Sequence, residues 1–83
     1  MGSVVYILRS LQDGSLYVGH TNDLQRRIEQ HNNPNGKSYT AKRGPWELAY
    51  VEEQPTRAEA MARERFLKSC AGSQEKKHLA GRR

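Results

Sequence analysis

Apolar and polar positions change period several times along this chain, and each change marks an element. Val4-Val5-Tyr6-Ile7-Leu8 is apolar on both parities, the pattern of a central strand covered on both faces. The polar stretch Ser10 to Ser15 contains Asp13-Gly14, a turn signal, and Leu16 to His20 then returns as the hairpin partner. From Leu24 the period becomes helical. Leu24 and Ile28 form an apolar stripe with Arg27 and His31 at its edge, and Gln25, Arg26, Glu29 and Gln30 occupy the polar face. Asn22 followed by Gln25 reads as a capping box, so a helix is predicted from about Asn22 to Asn32, with Pro34 stopping it. Residues 32–37 have loop composition, and Pro45 keeps the basic stretch Ser38 to Pro45 out of any central strand. Trp46 to Glu52 alternates, which predicts a third strand with Trp46, Leu48 and Tyr50 on one face. Thr56 and Glu59 make a capping box for a second helix reaching about Ser69. A short basic helix is predicted from Ser73, after the break at Cys70-Ala71-Gly72-Ser73.

One position in the second helix breaks the pattern. At about 100° per residue, Ala60 and Leu67 fall to one side of Glu64 and Met61 to the other, so a carboxylate lies within an apolar arc. Glu59 and Arg63 are placed to pair at i,i+4 on the opposite face. An inward carboxylate is costly unless it is ion-paired, hydrogen-bonded or bound to a metal. The open alternatives for Glu64 are an ion pair with an arginine such as Arg27, a position at the domain edge, or a metal.

Composition narrows the class. Eighty-three residues with 35% hydrophobic content give one thin-cored domain with a highly polar surface. Lys plus Arg is 14 against 9 Asp plus Glu, a formal charge of +5 that suits a polyanionic partner and equally serves solubility. The excess is concentrated from Lys68 to Arg83, where Glu75 is the lone acid. One cysteine, Cys70, permits no internal disulfide and fits a reducing compartment. No apolar run approaches the ~18 residues of a membrane helix, and no secretory leader is recognised at the start, so a soluble cytoplasmic protein is expected. His20, His31 and His78 are too scattered for a zinc site, and neither a glycine-rich phosphate loop nor a Ser/His/Asp order is present.

Singly, the remaining polar candidates are weak. Arginine suits a phosphate because its planar fork holds two oxygens, and histidine accepts protons near neutral pH. A helical Arg27/His31 pair is nevertheless common surface decoration, and Tyr6 and Tyr17 alone read as packing residues with wet hydroxyls. Together they resemble something more specific. Val4-Val5-Tyr6 followed by Tyr17-Val18-Gly19, then Arg27 and Glu64 in successive helices, resembles the GIY-YIG nuclease superfamily. Stretches 23–32, 39–48 and 60–68 resemble its small stand-alone bacterial branch. The resemblance covers Val4 to about Leu79, and it departs from the pattern in three places. Val4-Val5 stands for Gly-Ile, His20 stands where a lysine often follows the second triplet, and the asparagine many relatives carry after the glutamate has no counterpart around Gln74-Glu75-Lys76-Lys77.

The resemblance implies an α+β fold over residues 1–83, a small three-stranded antiparallel sheet with its first strand central and helices flanking it. It implies divalent-metal-dependent phosphodiester hydrolysis in DNA, with Mg2+ or Mn2+ on Glu64, Arg27 on the phosphate, and Tyr6, Tyr17 and His31 around the attacking water. His20, Arg26, Lys42, Arg43, Lys68, Lys76 and Lys77 are the expected nucleic-acid contacts. Relatives act in DNA repair and recombination, and a separate protein partner would supply targeting. The competing reading is a non-catalytic or partner-dependent nucleic-acid-binding module. RNA stays open beside DNA, since no base-reading element is identifiable.

Overall fold

The first strand, β1 (Ser3–Ser10), occupies the centre of a three-stranded sheet in the computed structural model, which describes residues 2–33 and 44–81. β2 (Leu16–Thr21) and β3 (Trp46–Gln54) flank it, both antiparallel, in the order β2-β1-β3. Three helices complete the α+β fold: α1 (Leu24–His31) between β2 and β3, then α2 (Arg57–Lys68) and α3 (Ser73–Ala80). The two-faced apolar run of β1 is borne out, because Val5, Tyr6, Ile7 and Leu8 are all at most 2% exposed.

The hairpin turns where Asp13-Gly14 predicts it. Gly14 adopts φ +76°, which a side chain would resist, and Asp13 Oδ1 accepts from the Ser15 N–H at 2.9 Å. α1 starts one residue later than the capping pattern suggests. Asp23, not Asn22, is its cap, accepting from the Arg26 N–H at 3.2 Å while Thr21 Oγ1 takes the Asp23 N–H at 3.0 Å. At α2 the expected cap forms, with Thr56 Oγ1 accepting from the Glu59 N–H at 3.1 Å.

The sheet divides the interior in two. On one face Val5, Ile7, Val18 and Ala49 pack against Ala60 and Leu67 of α2 and Leu79 and Ala80 of α3. On the other, Tyr6, Leu8 and Trp46 pack with Tyr17 and with Leu24 and Ile28 of α1. A bulge in β3 corrects the prediction for that strand. Ile7 faces Tyr50 and Leu8 faces Leu48, so Ala49 is the additional residue and alternation slips by one. Trp46 therefore joins the α1 side, whereas Tyr50 packs on the α2 side.

Arg63 also departs from its helical pairing with Glu59. Its guanidinium spans Glu52 on β3 (3.0 Å) and Glu75 on α3 (3.0 Å). Two charge-assisted contacts on a planar fork outweigh one exposed i,i+4 pair, which contributes about 0.2–0.5 kcal/mol. The same bridge ties α2 to both neighbours and raises the Arg63 pKa, chiefly through the Glu75 hydrogen bond.

Candidate active site

Strand register places the two tyrosines on one face. Tyr6 lies opposite Gly19 and Leu8 opposite Tyr17, so Tyr6 and Tyr17 are diagonal neighbours, with ring centroids 6.4 Å apart. The last residue of α1 is His31, which is buried against both. Tyr6 Oη and His31 Nε2 are 2.9 Å apart, and the imidazole lies 4.8 Å from the Tyr17 ring centroid. Trp46 closes the group edge-on to Tyr17 at 6.3 Å.

Gly19 makes this cluster sterically possible. A Cβ there would sit 2.5 Å from the Tyr6 hydroxyl oxygen and 3.2 Å from Tyr17 Cε1, so the second triplet needs glycine because the Tyr6 ring tip lies over its backbone. Burial, followed by Tyr17 and the Glu64 charge, pushes the Tyr6 hydroxyl up to about 12, against the lowering effect of Arg27. Burial first and Arg27 second lower the His31 pKa below its ordinary 6.5. At neutral pH the pair is therefore a protonated phenol hydrogen-bonded to a neutral imidazole.

Alternation along β2 sends the next side chain to the opposite face. His20 shares the side of Val18, and its Nδ1 lies 2.7 Å from Glu64 Oε1 on α2. Lys68, one turn on, places Nζ 3.2 Å from Glu64 Oε2 and 5.4 Å from the Tyr17 ring centroid. Because β2 is an edge strand, one lysine links the carboxylate on the α2 side to the aromatic cluster on the α1 side. Among the described residues the carboxylate thus pairs with His20 and Lys68, and Arg27 is not its partner. The side chain is 21% exposed, at the border of the stripe made by buried Ala60 and Leu67.

Arg27 is exposed and, among the described residues, held by one long contact to Gln30 Oε1, 3.5 Å. It lines a depression of about 420 Å³ with Ser3, His20, Thr21, Asn22 and Arg57. Arg26 lines an adjoining one of about 290 Å³. A larger hollow of about 540 Å³, between the ends of β1 and β3, is lined by Gly2, Ser3, Val4, Glu53, Gln54 and Pro55 and lacks any lining cation among the described residues. Size does not mark the site here, since a phosphate needs cationic donors. Lys76 and Lys77 stand on α3, which packs on α2, β1 and β3, and neither lines the depression beside His20. Lys42 and Arg43 lie outside the described residues.

A hard divalent cation such as Mg2+ takes oxygen ligands and retains several waters. Glu64 offers one part-exposed carboxylate, and no group of three His, Cys, Asp or Glu side chains gathers among the described residues. That donor set fits an ion completed by water and substrate phosphate, with His20 and Lys68 giving way at the carboxylate oxygens.

The sequence points to Tyr6, Tyr17, Arg27, His31 and Glu64, and the fold brings the aromatic three into contact with Arg27 and Glu64 near enough to act on Tyr6 electrostatically. It does not reveal the His20–Glu64 contact, the lysine over Tyr17, or Arg57. All three arise from packing α2 against β2, a long-range event with no local signal.

The family described as the GIY-YIG catalytic domain matches residues 2–78. A UPF0213 protein of Clostridium perfringens is 45% identical over 71 residues, covering 86% of this chain and 75% of that protein. One from Staphylococcus epidermidis is 42% identical over 75 residues, covering 90% of each. The solution NMR structure of a UPF0213 protein from Bacillus halodurans superposes with a TM-score of 0.57 at 38% identity, covering 98% of this chain and 87% of that one. No helix among the described residues is long and apolar enough to cross a membrane.

Proposed function

We propose, from the premise that the chain belongs to the GIY-YIG nuclease family, that it is a divalent-metal-dependent endonuclease hydrolysing phosphodiester bonds in DNA. The observation that carries this reading is the buried Tyr6–His31 hydrogen bond, with Arg27 and Glu64 both acting on the Tyr6 hydroxyl. Arg27, without an acidic partner among the described residues, orients the phosphate through its guanidinium fork. Tyr6 Oη takes a proton from the attacking water as its own proton passes to His31 Nε2, so the phenol never has to ionise alone against a pKa near 12. Glu64 would hold the divalent ion, which when bound supplies Lewis-acid stabilisation of the phosphoryl oxygens. Tyr17 walls the cluster and orients the imidazole. A place in DNA repair or recombination goes with this reading.

One observation favours a second reading. Tyr6 and His31 are 2% and 6% exposed, and both Glu64 oxygens are occupied, one by the His20 imidazole and one by the Lys68 ammonium, which suits a nucleic-acid-binding module without turnover. Labelled duplex, flap, single-stranded and RNA substrates, with and without Mg2+ or Mn2+, separate the two. Cleavage of DNA with metal is expected. Tyr6→Phe and His31→Ala should each slow it by about 10²–10⁴-fold, the usual contribution of a general base, with binding kept. Binding without cleavage under any metal would select the module.

A further inference from the structure

The cations of this surface are unevenly committed. Arg9 is paired with Glu47, and Arg63 with Glu52 and Glu75. Arg26, Arg27 and Arg57, all exposed, have no acidic partner among the described residues, and all three line the two adjoining depressions. Those depressions share Thr21, Asn22 and Arg27, so together they form one trough from the start of α2, past the end of β2, to the polar face of α1. Asp23, the acid among the lining residues, has Oδ1 turned to the Arg26 backbone N–H, where it caps α1. An arginine left without a carboxylate and facing a solvent-filled groove is available for an anion.

Resting on the nuclease reading above, we propose that this trough is the track of the sugar–phosphate backbone of the DNA strand being cut. Arg27 lies at the scissile phosphate, and Arg57 and Arg26 hold phosphates to either side. Arg57 thereby becomes a substrate-binding residue, and the principal electrostatic interface moves from the basic α3 to the junction of α1, β2 and α2. With Arg57 lining one depression, Arg26 the other and Arg27 both, the three arginines match a polymer of regularly spaced phosphates better than a single small anion, which two of them would suffice to hold.

The test measures binding of a labelled DNA duplex in chelator, across a salt series, so that no cleavage intervenes. The parent's log affinity should fall linearly with log salt. Arg57→Ala and Arg26→Ala should each flatten that slope by about 0.9, the value of one lost duplex phosphate contact. Arg57→Lys should restore the slope, and Arg65→Ala, on α2 but outside the trough, should leave it at the parental value. Unchanged melting temperatures establish that the variants fold, and Arg57→Gln replaces Arg57→Ala if that protein does not. Parental slopes in both the Arg26 and Arg57 variants overturn the track and leave the nuclease reading standing. A loss confined to a Lys76→Ala/Lys77→Ala double variant assigns the interface to α3 and overturns it as well. A parent that binds no DNA at low salt overturns both.

Discussion

The two faces of the central strand are buried to a similar degree and built from different materials. Toward α2 and α3 the strand presents Val5 and Ile7, matched by buried aliphatic and alanine side chains with Tyr50 at the margin. Toward α1 it presents Tyr6 and Leu8, and the layer above them contains an imidazole, a second phenol and an indole. The first face needs only volume and apolarity, so its parts are exchangeable at the cost of cavities. The second stays buried because a specific hydrogen bond satisfies Tyr6 and His31, and a glycine on the neighbouring strand makes room for it. One face supplies stability and the other holds geometry. Alternation along β2 then lets the two communicate, since Tyr17 and Gly19 belong to one face and Val18 and His20 to the other.

That division can be broken from either side. Leu67→Ala, on the α2 face, should have the largest effect on stability, about 2–5 kcal/mol for a fully buried leucine, read as a shift in the urea midpoint. In the fraction that remains folded, the pH dependence of any cleavage should be that of the parent. Gly19→Ala should cost less, about 1–3 kcal/mol as for overpacking generally, because the Tyr6 ring tip must move. Its signature is different, for activity should fall far more than stability. An equal fall in both would erase the distinction between the faces.

The smallest effect sharpens the comparison by pH. His31 has a folded-state pKa below the 6.5 of the unfolded chain, so the unfolded chain takes up a proton that the buried imidazole resists. Stability should therefore be full above about pH 6.5 and decline as the pH falls below it. His31→Gln should flatten the part of that decline due to this group in a melting-temperature series from pH 7 to pH 5. An unchanged slope would mean that the imidazole is not held neutral. The same sign applies to the rate, since a neutral acceptor is required. A base relay through His31 gives a rate already level at neutral pH, whereas a free Tyr6 phenolate would keep the rate climbing toward pH 12.

Much of this could be read before the fold was known, for local reasons. Central β1, the Asp13-Gly14 turn, the Thr56 cap and the odd placement of Glu64 are all written in short-range pattern. The bulge at Ala49 was not, because it changes pairing between strands without any glycine or proline to announce it. The partners of Arg63 escape the sequence for a similar reason. They lie on two other elements, and sequence spacing offers only Glu59. At the candidate site, the sequence singles out the residues of interest but not their pairings. Glu64 stands out by period, but that its partners are His20 and Lys68, and not Arg27, depends on which end of β2 meets α2.

Glu64→Gln tests the central claim most directly. The substitution keeps the side-chain shape and removes the charge that would attract a divalent ion, while leaving the aromatic cluster untouched. The variant is expected to fold, to melt without metal close to the parent, to show no rise in melting temperature with Mg2+, and to lose DNA cleavage. A folded Glu64→Gln protein that still cuts DNA at the parental rate with Mg2+ would contradict the assignment of the metal to this residue.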